Sequence, residues 1–111
     1  MTPTLFRTSL STADYVQSSE CDEKHHYLRR SEGSWTTLRA GLVVAQPEKG
    51  VVGSGAGDDT VFVLAGEAHV TVSGMEEPVV LKPGDFVSFP RGLPQTWDIV
   101  EEFRAVFVYA E

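Results

Sequence analysis

The sequence predicts an all-β domain, and three observations support this. Short runs of β-branched and aromatic residues follow one another from residue 34 onward, and glycine or proline closes each run. Hardly any helical periodicity occurs. A chain of 111 residues with 41% hydrophobic residues is long enough to bury one core and too short for two. We therefore expect a single sandwich or small barrel.

Eight runs are predicted as strands, and most breaks between them have a local reason. Gly74 supplies the positive φ of a hairpin turn, and Pro83 with Gly84 suits the two central positions of a type II turn. Pro90 and Pro94 prevent pairing between two further runs. The predicted strands are 34–45, 50–53, 60–65, 67–73, 78–81, 85–89, 95–100 and 103–110.

The charge distribution excludes some partners. The net charge is −7, and it falls entirely on residues 31–111 because residues 1–30 hold four basic and four acidic side chains. Such a surface repels phosphate backbones and anionic lipid heads, so we expect neither nucleic acid nor membrane as a partner. The single cysteine, Cys21, cannot form an internal disulfide, which favours a reducing cytoplasm.

The strongest motif occupies residues 84–95. Gly84, Pro90 and Gly92 stand at the spacings of the second cupin motif, in which a metal-binding histidine occupies the position of Gln95. Upstream, an acid lies seven residues before Gly66, as at the close of the first cupin motif. Residues 33–110 thus resemble the small single-domain cupins grouped with ureidoglycine aminohydrolases. The resemblance implies a cupin-type antiparallel β-barrel, also called a double-stranded β-helix or jelly roll, over residues 31–111.

Residues 1–30 are less regular and are expected to form an N-terminal extension of this barrel. A short run starting at His26 has the composition of an edge strand. Small cupins commonly pair, so the resemblance also implies a homodimer. A segment without its own core would gain burial by lying across the partner subunit.

The metal-binding positions of the resembling family are changed in this sequence. A typical cupin has a His-x-His pair shortly before the acid, whereas the corresponding positions here are Val52 and Ser54, or Gly53 and Gly55. The acid is an aspartate, one methylene shorter than the usual glutamate, and Gln95 replaces the second-motif histidine. A transition metal prefers at least three good protein ligands. We therefore expect no metal and no cofactor, although a glutamine ligand does occur in aminohydrolase relatives.

The sequence pattern does not bring the three histidines together as a replacement for the missing metal ligands. His25 and His26 are adjacent, so on a strand their side chains point to opposite faces. His69 lies on a predicted strand with a threonine as its same-face neighbour, which is typical of an exposed face. We expect all three histidines at the surface.

Strand alternation predicts a cavity inside the barrel. Asp59, Val61 and Val63 share one face, which points inward because Asp59 occupies the acid position of the cupin motif. Gln95 and Trp97 share a face on a later strand and line the cavity by the same reasoning. An apolar cup with one acid, one amide and one indole is typical of a small-molecule site.

Four further residues are candidates for substrate binding. Trp35 and Arg39 share a face that is expected to reach the cavity mouth or a subunit contact. Arg39 could pair with a substrate carboxylate, and a surface salt bridge is the alternative. Phe107 and Tyr109 share a face of the last strand. The Tyr109 hydroxyl could donate to a ligand, or the side chain could simply pack its ring and leave its hydroxyl in water.

Two residues are candidates for catalysis. Burial among apolar side chains would raise the pKa of Asp59 toward values useful for general acid or base work, and Gln95 could orient it or the substrate. The alternative is that Asp59, beside Asp58 in a glycine-rich loop, is solvated and binds backbone amides.

Two classes of function follow from these residues. The first is a metal-independent enzyme of isomerase, cyclase or lyase type that acts on a small polar or carboxylated metabolite. The second is a non-catalytic module that binds a small molecule in the same cup. A metal-dependent hydrolase like ureidoglycine aminohydrolase is a third, more distant reading because its metal residues are missing.

Overall fold

The computed structural model describes residues 5–17, 23–32, 36–53 and 55–111 of the chain. These residues form antiparallel strands, and no helix in the described ranges is long and apolar enough to cross a membrane. The strands are β1 (Val16–Gln17), β2 (Glu23–Glu32), β3 (Thr37–Ala45), β4 (Glu48–Val52), β5 (Asp58–Val72), β6 (Val79–Leu81), β7 (Phe86–Phe89) and β8 (Gln95–Ala110).

Two long strands organise the fold. β5 and β8 pair with each other along almost their whole length. In one layer, the second half of β8 continues to β3 and β2, and the first half of β5 continues to β7. In the other layer, the first half of β8 pairs with β4 and the second half of β5 pairs with β6. The sheet therefore folds back on itself into two layers, which confirms the all-β, cupin-type architecture predicted from the sequence.

The predicted breaks near residues 66 and 101 are wrong. Each break lies inside a continuous strand, β5 or β8, at the point where that strand passes from one layer to the other. Gly66 has a φ of +89°, and a Cβ atom there would clash with the carbonyl oxygen of Glu102. The pairing register shifts between Val63 and Ala68, as in a β-bulge. Glycine thus marks a bend in this strand, where local sequence suggested its end.

The two glycine turns are confirmed. The amide of Met75 donates to the carbonyl of Val72 at 3.1 Å, and Gly74 between them has a φ of +88°. After Pro83, Gly84 has a φ of +94°, as the third residue of a type II turn requires.

The core lies between the two layers. Val63, Ala68, Val70 and Ala105 are completely buried there. Inward-facing positions alternate with exposed ones, most regularly along β8 from residue 103 to 108. The buried core cluster consists of Ala45, Val61, Val63, Ala68, Val70, Val72, Leu81, Phe89, Ile99, Phe103, Ala105 and Phe107.

The N-terminal residues contact the outer face of the first layer. β2 pairs with β3 from residue 23 to 32, so this strand crosses the domain boundary predicted at residue 30. The His26 ring fixes residues 5–17 to β2: its Nδ1 donates to the Asp14 carbonyl at 2.9 Å, and its Nε2 accepts from the Thr8 hydroxyl at 2.8 Å. Leu42, the cross-strand neighbour of His26, is buried on this face, outside the core cluster.

Candidate functional site

A cavity of about 420 Å³ opens between the layers. Strands β2, β3, β4, β5 and β8 all contribute to its wall. The lining residues are Glu23, His25, Tyr27, Arg39, Val43, Ala45, Val51, Val52, Gly53, Asp59, Val61, Trp97, Ile99, Phe103, Phe107 and Tyr109.

Asp59 is the acid that β5 places in this wall. It lies opposite Tyr109 of β8 on one side and Phe89 of β7 on the other. The pKa of Asp59 is raised from 3.8 to about 6: burial contributes most of the rise, the negative charge of Glu23 adds to it, and His25 opposes it. Asp59 is half-buried in the cavity wall, which is closer to the buried environment considered for it than to the solvated one. Its exposed neighbour Asp58 is the residue that binds a backbone amide, that of Arg91, at 2.8 Å.

Three alternate residues of β2 also face the cavity: Glu23, His25 and Tyr27. The Nε2 atom of His25 lies 3.3 Å from a carboxylate oxygen of Glu23. The imidazole stacks on Tyr27, with ring centroids 5.6 Å apart, and meets the edge of Phe107 at 5.5 Å. The His25 side chain is only 18% exposed, so the predicted surface position of this histidine is wrong.

The signal for this group was present in the sequence. Glu23, His25 and Tyr27 alternate with Lys24 and His26, which is the period of a strand with one face turned inward. The pairing partner of that strand lies at residues 37–45, so the local pattern alone could not show that the segment belongs to the barrel wall.

Arg39, Tyr109 and Asp59 form a row across three neighbouring strands. Arg39 of β3 is directly opposite Tyr109 of β8, and Tyr109 is directly opposite Asp59 of β5. The guanidinium carbon of Arg39 lies 5.7 Å from the centre of the Tyr109 ring. The Tyr109 hydroxyl donates to a carboxylate oxygen of Glu111 at 2.9 Å. A cation and an ionisable acid thus face the same cavity, with a phenol ring between them.

Other predicted site residues do not lie on this wall. Gln95 is buried, and its side-chain oxygen accepts a hydrogen bond from the Trp97 indole at 2.7 Å. Gln95 borders a second cavity of about 520 Å³, next to Gly53. Val63 is enclosed in the core. Trp35 lies outside the described residues. The predicted residues that do line the main cavity are Arg39, Asp59, Val61, Trp97, Phe107 and Tyr109.

The positions that hold a metal in typical cupins do not fit a transition metal here. Val52 is apolar, Gly53 has no side chain, and the Gln95 oxygen is engaged by an indole. Across residues 5–17, 23–32, 36–53 and 55–111, no three side chains of His, Cys, Asp or Glu lie close enough together to hold a metal ion. We therefore derive no chemical step through a metal.

Similar folds occur among solved structures. The cupin domain of Cnp3 from Schizosaccharomyces pombe is 23% identical with a TM-score of 0.72, over 92% of this chain and 71% of that chain. A putative ethanolamine utilization protein Q from Salmonella typhimurium is 19% identical with a TM-score of 0.73, over 91% and 81%. Hydroxypropylphosphonic acid epoxidase from S. wedmorenis is 18% identical with a TM-score of 0.68, over 96% and 59%. At these identities the likeness shows the fold.

The sequence has no match among curated proteins. The grouping with ureidoglycine aminohydrolases stays a prediction. The family model of the EutQ-like cupin domain matches residues 33–107, which is more than half of the chain. Together with the two-layered fold and its cavity, this match shows that the chain belongs to the EutQ-like cupin domain family.

Proposed function

We propose that the chain binds a small carboxylated metabolite in the main cavity and exchanges a proton with it through Asp59, without a metal ion. One observation carries the proposal: Asp59 is a half-buried carboxyl in a cavity wall made mainly of apolar and aromatic side chains. The reaction would be of isomerase, cyclase or lyase type, because many such reactions need only proton transfer from the enzyme while the substrate itself forms or breaks the remaining bonds.

The environment of Asp59 suits this role near neutral pH. Since its pKa is about 6, the carboxyl is mostly ionised at pH 7 and can accept a proton from a substrate C–H or O–H group. The resulting acid is then strong enough to return that proton. Arg39, in the same row, would bind the substrate carboxylate through its planar guanidinium.

His25 supplies a second proton-bearing group in the cavity. Glu23, 3.3 Å from its Nε2 atom, fixes one side of the imidazole, and the rings of Tyr27 and Phe107 fix its plane. The electrostatic effect of His25 on Asp59 supports their common environment. We propose that His25 donates a proton in those reactions that need it at a substrate position out of reach of Asp59, and that Asp59 returns the proton itself in the others.

A non-catalytic binding module is the alternative. One observation favours it: Gln95, expected to assist Asp59, is hydrogen-bonded to Trp97 and lies away from the main cavity. A binding module would need the cavity and Arg39, but it would not need the proton chemistry of Asp59.

Asp59→Asn tests the choice between enzyme and binder. A panel of small carboxylic acids is first screened for binding by NMR and then for conversion. We expect the variant to bind the converted acid within a few-fold of wild type and to lose about 100-fold or more in kcat, since general acid–base catalysis contributes about that much. Asp58→Asn, which changes the exposed neighbouring acid, is the control.

The outcomes separate the two functions. Wild-type turnover by Asp59→Asn would remove this residue from the mechanism, and binding without conversion would favour the binding module. Turnover should also survive treatment with a chelator. Stoichiometric manganese, zinc or iron in the purified, active protein would contradict the metal-independent mechanism.

We also propose that two copies of the chain pair through the outer face of the first layer. Phe86, Phe62 and Val106 lie side by side across β7, β5 and β8, and the two phenylalanines are 74% and 39% exposed. Their rings are in edge contact, with centroids 5.9 Å apart. Because these residues are uncharged in a chain of net charge −7, two copies can meet there without bringing like charges together.

The double variant Phe62→Lys/Phe86→Lys is expected to be monomeric, because four buried lysines would repel at such an interface. Light scattering with gel filtration measures the molar mass. Val80→Lys, which adds a charge at another exposed valine, is the control and should remain dimeric. A wild type with the molar mass of a monomer would contradict this interface. So would a Val80→Lys variant that is as monomeric as the double variant.

A further inference from the structure

A second arginine lies beside Arg39, on the strand that the sequence pattern left outside the barrel. Arg30 of β2 is directly opposite Arg39 of β3. The register of β2 shifts between Tyr27 and Arg29, so Arg30 shares the cavity-facing side with Arg39 while Arg29 pairs with Ala40. This bulge places two cations side by side.

Both guanidinium groups lie over tyrosine rings that line the cavity. The guanidinium carbon of Arg30 is 5.2 Å from the centre of the Tyr27 ring, and that of Arg39 is 5.7 Å from the centre of the Tyr109 ring. Directly opposite residues on antiparallel strands have Cβ atoms about 5 Å apart. Arg39 lines the cavity and Arg30 is exposed beside it, so the two arginines place two positive charges at the rim of the cavity, in a chain whose net charge is −7.

We propose that Arg30 and Arg39 form a subsite for a doubly charged oxyanion, either a phosphoryl group or a pair of carboxylates. Each guanidinium presents parallel N–H donors that match two oxygens of such a group. Because the two guanidinium groups project from directly opposite positions, an anion with two negative charges can accept hydrogen bonds from both at once. This subsite deepens the proposed function by naming the charge of the substrate.

The position of the subsite also limits the size of the substrate. Arg39 and Asp59 are two strands apart in one row, with Tyr109 between them, which corresponds to about 10 Å between their Cα atoms. A ligand held by the arginines needs to extend by only a few bonds to reach the carboxyl of Asp59. We infer a short metabolite with its doubly charged group at one end.

Inorganic phosphate and malonate are the probes for the subsite, with acetate as the singly charged control. Binding is followed at constant ionic strength by amide shifts of β2 and β3 in NMR titrations of the full chain. We expect phosphate, malonate or both to bind at least 10-fold more tightly than acetate. Arg30→Gln and Arg39→Gln should each weaken that binding by 10-fold or more, and Arg30→Lys should weaken it less.

Arg29→Gln is the matched control. The Arg29 guanidinium lies over Phe6, 5.4 Å from its ring centre. Arg29 is opposite Ala40 and not Arg39, so its side chain is on the other face of the sheet from the subsite. Binding unaffected by Arg30→Gln, or weakened equally by Arg29→Gln, would overturn the subsite, as would equal affinity for acetate. Phosphate binding alone assigns a phosphoryl group, and malonate binding alone assigns two carboxylates. Asp59→Asn should keep the anion affinity, so failure of the proton chemistry and failure of the subsite are separate results.

Discussion

Gly66→Ala is expected to remove a large part of the stability of the protein. The substitution forces an alanine into a φ of +89°, which costs about 1–2 kcal/mol. It also drives a Cβ atom into the carbonyl oxygen of Glu102, a backbone atom fixed by the pairing of β5 with β8. Because both long strands bend at this point, neither can yield without losing pairing. We expect a total loss of about 4 kcal/mol or more, against a typical stability of about 5–15 kcal/mol.

Gly74→Ala is the matched control for this prediction. Gly74 has nearly the same φ, +88°, but a Cβ atom there meets nothing within 4 Å. The control therefore isolates the conformational cost of about 1–2 kcal/mol. Urea unfolding of both variants gives the comparison. Equal losses for the two variants would show that the close approach at the bend does not limit the fold.

Asp59→Asn is expected to stabilise the protein at neutral pH and to have no such effect near pH 4. The folded state raises the pKa of Asp59 from 3.8 to about 6, so it favours the protonated form. The associated stability is fully present below pH 3.8 and is lost as the pH rises through about 6. Asparagine stays neutral at all these pH values, so the variant does not lose this stability. The loss in free energy of unfolding of the wild type amounts to about 3 kcal/mol at most above pH 7.

The measurement is urea unfolding of wild type and Asp59→Asn between pH 4 and pH 8. The difference in free energy of unfolding should grow in favour of the variant over this range and level off above pH 7. The exposed Asp58→Asn variant is the matched control. A difference between wild type and Asp59→Asn that stays constant with pH would mean that Asp59 is not buried as an acid. The same variant thus gains stability where it is expected to lose turnover.

The turns between the strands could be predicted from the local sequence. Gly74 and Gly84 predicted their turns because a positive φ is a property of the residue itself. Gly66 misled for the same reason: it signals a special backbone conformation without telling whether the chain turns back or bends onward. The difference depends on the pairing of Ala65 with Arg104 and of Glu67 with Glu101, which is not local information.

The candidate site was also predictable only in part. The inward position of Asp59 followed from strand alternation and from the cupin motif, and the structure places it in the cavity wall. Gln95 also faces inward, but the contact with Trp97 and the close approach of Gly53 keep it away from the main cavity. His25 and Arg30 were missed because only the register of β2 against β3 brings His25 to the wall and sets the exposed Arg30 beside Arg39.

Because β5 and β8 belong to both layers, they determine how the barrel unfolds. Most of its close contacts join residues distant in sequence, and the β5–β8 pairing alone links Asp58 to Ala110 and Val72 to Gln95. Opening either layer breaks hydrogen bonds of a strand that also belongs to the other layer. We therefore expect the barrel to behave as one cooperative unit in amide hydrogen exchange, with β5 and β8 exchanging only through global unfolding. Such non-local pairing also places its refolding among the slower single domains.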